Sequence, residues 1–217
     1  MKEITKFNCN WIFLKDVTEA PTSLPTTGEV VNLPHTWNAI DGQDGGCDYW
    51  RGTCCYANVL GKYENKRVYI EVLAASSSAT ICVNGKEVIS HDGGYSIFRA
   101  DITDALTEEE NLIAILVDNG SNDRVYPQTA DFTFYGGLYR GVNIITVDES
   151  HFDLDYYGGK GLTFSAEVEE DAAIITLDAY VTEPTAEQNV EFVIRDAEGK
   201  QVASAVCTAS AHVNTQL

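Results

Sequence analysis

Several absences set the first limits on this chain. No apolar stretch approaches the roughly 20 residues that a membrane-crossing helix needs. The N-terminal apolar run Trp11-Ile-Phe-Leu14 is too short for the core of a signal peptide, so the chain reads as cytoplasmic. Basic side chains are scarce, 14 Lys and Arg against 33 Asp and Glu, for a formal net charge of −19. A surface of that sign repels phosphate backbones and anionic lipid, which excludes nucleic acid and membrane surfaces as partners. No pair of the six cysteines has the C-x-x-C spacing of a zinc or redox site. Without a secretory leader the thiols are expected to be reduced. Cys82 and Cys207 lie in apolar runs, where cysteine acts as a small hydrophobe, and adjacent Cys54 and Cys55 would point to opposite faces of a strand. Helix-period segments are nearly missing. The one weak signal, Asp101-Ile-Thr-Asp-Ala-Leu106, predicts a single turn capped by Asp101 or Thr103.

What is present is β-sheet texture, with enough apolar content (44%) for real cores over 217 residues. Short runs rich in Val, Ile, Tyr and Thr recur between Gly, Asn, Asp and Pro turns, as in an all-β sandwich. Val68–Leu73, Leu112–Val117 and Val142–Val147 are such runs. Ala79–Val83 and Lys86–Ser90 flank Asn84-Gly85, the two positive-φ residues that a type I′ hairpin turn demands. A boundary near Asp148-Glu-Ser150 predicts two domains, 1–148 and 149–217. The second repeats the strand texture at His151–Tyr157, Leu162–Glu169, Ile174–Val181, Val190–Arg195 and Gln201–Val206. Those runs make most of an immunoglobulin-like sandwich, which takes about seven strands over roughly 100 residues. The last stretch, Ala209–Leu217, carries no stop signal, so the second domain is expected to be truncated at its C-terminus.

The most informative segment is Asp131-Phe-Thr-Phe-Tyr-Gly-Gly-Leu-Tyr-Arg140, a carboxylate leading an aromatic run, then a Gly-Gly pair and an arginine. Three further stretches precede it: Val31-Asn-Leu-Pro-His-Thr-Trp-Asn38, Tyr49-Trp-Arg-Gly-Thr-Cys-Cys-Tyr56, and Val83–Phe98 with Asp101-Ile-Thr103 behind it. In that order the four resemble the N-terminal region of glycoside hydrolase family 2, the β-galactosidases, β-glucuronidases and β-mannosidases. The second match is looser, with Cys55-Tyr56 where the family commonly has Trp-Tyr. The resemblance implies a jelly-roll-like sugar-binding domain, then an immunoglobulin-like domain. A catalytic (β/α)₈ barrel with two glutamates would follow beyond Leu217, so no catalytic residue is expected in this chain. The implied activity is that of a retaining exo-β-glycosidase acting on terminal β-linked sugars, with β-galactosidase ahead of β-glucuronidase. The chain alone is expected to be inactive.

Carried over residue by residue, the resemblance makes Asp131 a substrate ligand, accepting charge-assisted hydrogen bonds from sugar hydroxyls. Asp48, in the loop Asp41–Arg51, is a second candidate. Gly136 and Gly137 would permit a tight or positive-φ backbone that lets the loop approach its neighbour. Arg140 would pair with a carboxylate or carbonyl at the domain junction, and Phe132 and Tyr135 are ring-stacking or core aromatics. His91, followed by Gly93-Gly94, Tyr95 and Phe98, has no Ser, Cys or Asp partner at triad spacing and reads as a hydrogen-bonded structural residue. His35 and Trp37 belong to a loop that lies near the barrel in relatives. Asn119-Gly-Ser121 fits a glycosylation sequon. No cofactor is identifiable, although some relatives carry Mg²⁺ or Na⁺ near the site. The partners implied are a β-galactoside or related carbohydrate, the protein's own barrel and further copies in a homo-oligomer. A free-standing carbohydrate-binding module is the alternative.

Overall fold

The structure, a computed structural model, describes residues 2–40, 50–107, 109–126, 130, 133–155 and 158–217. Its contacts divide the chain into two compact units, Met1–Thr146 and Val147–Leu217. Both are all-β. Within the described residues no helix is long and apolar enough to cross a membrane.

The first unit is a two-sheet sandwich of jelly-roll type. Its strands are β1 (Glu3–Lys6), β2 (Trp11–Leu14), β3 (Glu29–Val31), β4 (Thr53–Gly61), β5 (Arg67–Ser76), β6 (Ser78–Val83), β7 (Lys86–Asp92), β8 (Phe98–Asp101), β9 (Glu110–Asp118) and β10 (Gly137–Val147). One sheet has the order β3-β2-β4-β9-β6-β7 and the other β1-β10-β5-β8. Alternate side chains of the two sheets meet in one core: Trp11, Tyr56, Ile81, Ile113 and Ile115 from the larger sheet, Val68, Ile70, Phe98, Val142 and Ile144 from the smaller. The larger sheet is covered on its other face as well. There Cys55, Cys82 and Ala114 are buried under Leu14, Val17 and Ala20. Cys54 and Cys55 thus face opposite layers, both buried, and burial pushes their thiols up to about 11 and about 12. The hairpin β6–β7 turns through Asn84 (φ 51°) and Gly85 (φ 76°). The expected turn is a 3₁₀ helix over Thr103–Ala105, but its N-cap is Ile102, without a side-chain cap hydrogen bond, and neither Asp101 nor Thr103. Asp101, one residue before the cap, accepts through Oδ1 from the Thr103 amide at 2.9 Å.

The second unit contains β11 (His151–Phe152), β12 (Leu162–Glu169), β13 (Ala172–Thr182), β14 (Asn189–Arg195), β15 (Gln201–Thr208) and β16 (His212–Gln216). β13 pairs with β11, β12 and β16, and β14 pairs with β15. The core joins Leu177, Ala179 and Val213 to Val190 and Phe192. Two expectations need correction. The first strand is only two residues long, because backbone pairing to β13 stops at Phe152↔Val181, and residues 156–157 lie outside the described ones. The tail, which was not among the expected strands, supplies β16, with Val213 buried against β13.

Candidate functional site

Asp131, Phe132 and Asp48 lie outside the described residues, so their assigned roles carry no geometry here. What the structure describes is the anchorage on which the segment sits. Its centre is a pair of buried asparagines, Asn38 and Asn119, each 0% exposed. The Gly136 amide donates to Asn38 Oδ1 at 2.8 Å. Asn119 Nδ2 donates to the same oxygen at 3.2 Å and to the Trp50 carbonyl at 3.2 Å. Asn38 Nδ2 reaches that carbonyl at 2.9 Å, and the Gly52 amide donates to Asn119 Oδ1 at 2.9 Å. Four chain segments are tied at one knot, with every end of both amides used. The Asn119 sequon is therefore no acceptor for a glycan in the folded chain, since its side chain is sealed inside.

The two glycines allow the close approach. A Cβ on Gly136 would stand 2.4 Å from Trp37 Cζ2, and one on Gly137 (φ +118°) would stand 2.7 Å from the His35 carbonyl and from Tyr56 Oη. Gly136 lies against Trp37, which stacks on Phe13 at 6.0 Å and meets Trp50 edge-on at 6.0 Å. Trp37 Nε1 is the one buried side-chain nitrogen or oxygen among the described residues that lacks a hydrogen-bond partner. Beneath Gly137, His35 Nδ1 and Tyr56 Oη are 2.8 Å apart, and the His35 amide donates to the Leu138 carbonyl at 2.9 Å. Burial holds His35 below its usual range, against a weaker upward pull from Glu29, and burial raises the Tyr56 phenol. Both are neutral at pH 7, a hydrogen-bonded pair inside the sandwich.

Further along β10, the Tyr139 hydroxyl donates to the Gly94 carbonyl and Arg140 Nη1 to the Tyr95 carbonyl at 3.1 Å. Arg140 thus finds a carbonyl, as one of its expected partners, within the first unit. His91 stacks on Phe98 at 4.3 Å and its Nε2 meets Ser96 Oγ at 2.9 Å. Burial lowers its pKa, partly offset by a backbone hydrogen bond at Gly93 and by Asp92. The described candidates therefore fall into two groups: His35, Trp37, Gly136 and Gly137 around the asparagine knot, and His91 and Arg140 around the 91–96 loop. Asn38 and Asn119 carry the knot, and Tyr56 lies under Gly137. In the sequence Asn38 and Tyr56 only close two motif stretches and Asn119 only opens a sequon, so none of the three stands out as a site residue. Asn38 and Asn119 are 81 residues apart, so no spacing links them.

Beside the segment opens a groove of about 560 Å³, lined by Phe134 together with Ser76, Gly94, Tyr95, Arg124 and Tyr126. No three or more His, Cys, Asp or Glu among the described residues stand where they could hold a metal ion. The arrangement holds a loop in place and offers a surface beside it.

The first unit is thus an all-β sandwich that carries a loop on a buried polar knot, with a groove of polar and aromatic residues alongside. Residues 31–148 match the family described as glycosyl hydrolases family 2, sugar binding domain, and the chain belongs to that family. A β-glucuronidase of Bacteroides fragilis is 35% identical over 142 residues, covering 64% of this chain and 20% of that protein. A β-galactosidase of Thermoanaerobacter pseudethanolicus is 29% identical over 166 residues, covering 72% of this chain and 22% of that protein. Among solved structures, the FMN-binding β-glucuronidase from Facaelibacterium prausnitzii L2-6 is 43% identical, with a TM-score of 0.85 over 100% of this chain and 34% of that one. The chain spans between 20% and 34% of the length of these three relatives.

Proposed function

We propose that this chain is the non-catalytic N-terminal part of a retaining exo-β-glycosidase, in which it buttresses a catalytic barrel and extends Asp131 toward the sugar. The observation that carries the reading is the anchored Gly136-Gly137 loop in a family 2 sugar-binding domain. The segment is tied at Gly136 through Asn38 and Asn119, a buried base that supports presenting a carboxylate to a neighbour. The two carboxyl groups of retaining hydrolysis, about 5–5.5 Å apart, would come from outside these residues.

The identities of 43% and 35% to β-glucuronidases, against 29% to a β-galactosidase, support a β-glucuronoside substrate ahead of a β-galactoside. That order reverses the one expected from the motifs, which the two activities share. A free-standing binding module is not favoured, because the relatives are glycosidases of which this chain is one part. The test is to express the chain with its downstream reading frame and assay p-nitrophenyl β-D-glucuronide and β-D-galactoside. Hydrolysis of the glucuronide with retention of anomeric configuration by NMR supports the proposal. Failure to cleave either glycoside, by a folded protein, overturns it.

A further inference from the structure

We infer that the groove beside Phe134 is a subsite for a second pyranose ring, one belonging to an oligosaccharide substrate and distinct from the terminal sugar that is cleaved. The inference rests on the glycosidase reading above and adds the substrate class. At about 560 Å³ the groove falls within the roughly 300–1,000 Å³ of small-molecule sites. Two of its rings are presented to solvent, Tyr95 at 60% and Tyr126 at 85% exposure. A tyrosine offers a flat apolar face and a polar tip. A pyranose has the matching chemistry, C–H bonds on its faces and hydroxyls around its rim.

The polar groups of the lining point the same way. Arg124 and Asp92 pair at 2.9 Å, so their charges cancel and the groove selects no ion. Arg124 engages Asp92 through Nε, which leaves its terminal Nη donors for a ligand hydroxyl. Ser76, largely buried, also belongs to the lining, beside Gly94. A wholly apolar ligand would strip water from these groups and return no hydrogen bond. A phosphate-bearing ligand meets a chain of net charge −19.

The walls are also built in advance. The carbonyls of Gly94 and Tyr95 are held by Tyr139 and Arg140 on β10, whose first residue is Gly137. The opposite wall is held to the end of β7 by the Arg124–Asp92 pair, with Asp92 also accepting from Ser78 Oγ at 2.6 Å. The groove's Gly94–Tyr95 wall and the end of the segment at Gly137 therefore share β10, and that wall is in place before a ligand binds.

The experiment uses the full-length protein and compares kcat/KM for a β-linked trisaccharide with kcat/KM for the p-nitrophenyl glycoside of the same terminal sugar. Tyr126→Ala is expected to lower the ratio of the two at least tenfold, through KM of the trisaccharide, while Tyr126→Phe keeps it within twofold. The exposure of Tyr126 makes a folding defect easy to exclude by thermal midpoint. A ratio unchanged in Tyr126→Ala overturns the subsite, as does a loss confined to the aryl glycoside, which would assign the groove to an aromatic leaving group instead of a sugar ring. Cleavage of aryl glycosides with none of the trisaccharide overturns the subsite alone. Cleavage of neither substrate by the unmodified protein removes the glycosidase reading, and the subsite with it.

Discussion

Gly136 and Gly137 make the demand on space most acute. A methyl group at Gly136 would have to displace Trp37 or the Asn119 amide, which stands 2.7 Å from the Cβ position. Both are buried in a packed core, so Gly136→Ala should destabilise the chain by about 1–3 kcal/mol, read from urea midpoints. Asn38→Ala removes the acceptor of the Gly136 amide and one partner of Asn119. Leaving such buried groups unsatisfied costs about 1–3 kcal/mol, and the same variant in the full-length enzyme should lose activity by loosening the loop. Asp131→Ala in that enzyme is expected to lower kcat/KM at least a hundredfold with the fold intact by circular dichroism. A value within threefold of the unmodified enzyme would remove Asp131 from the substrate contacts.

Strands that look alike in sequence differ in what they bury. β12 has the alternation of a sandwich strand, Leu162, Phe164, Ala166, Val168, yet every residue in it is exposed, Phe164 at 72%. Phe192 on β14, in an equally ordinary run, is in the core with Leu177 and Val213. Phe164→Ser should shift stability of this chain by less than about 0.5 kcal/mol. Phe192→Ala should cost about 3–5 kcal/mol by chemical denaturation, unless its cavity collapses. Equal costs would mean that β12 packs against more of this chain than the structure shows. Within the first unit, Arg99 Nε and Glu71 Oε2 pair at 2.6 Å across β8 and β5, almost fully buried, with Asn143 Nδ2 on the other carboxylate oxygen at 2.8 Å. Neutralising Arg99 alone strands a buried carboxylate, and Arg99→Met is expected to cost about 3–5 kcal/mol.

Acid should act on the whole molecule through its histidines before its carboxylates. His35 and His91 both have folded pKa values below the 6.5 of the unfolded chain, burial being the main cause in each. The unfolded state therefore takes up these protons first as pH falls. Their contribution is intact above about pH 6.5 and is lost as pH drops through the folded values. Urea midpoints should be lower at pH 5.5 than at pH 7.5, and His35→Gln with His91→Gln should narrow the gap. On the proposed function the chain by itself should release no p-nitrophenol from the β-glucuronide or β-galactoside, because the reacting carboxyl groups would come from outside these residues. Turnover by the purified 217-residue chain would place catalytic groups within it and contradict the scaffold role.

Local chemistry was enough for much of this. The runs rich in Val, Ile, Tyr and Thr that became β5, β9 and β10, the Asn84-Gly85 turn and the texture change near residue 148 are properties of neighbouring residues, so the sequence determined the all-β class and the hairpin by itself. The order of the four motif stretches brought the family into view for the same reason, since each is a contiguous run. Tertiary structure alone decided the rest. That Asn38 and Asn119 meet across 81 residues, that Tyr56 lies under Gly137, and that the last nine residues add a strand beside β13 are long-range contacts. Nor could spacing show that Phe192 is covered and Phe164 is not. Burial belongs to a side chain and its surroundings together, and only folding supplies the surroundings.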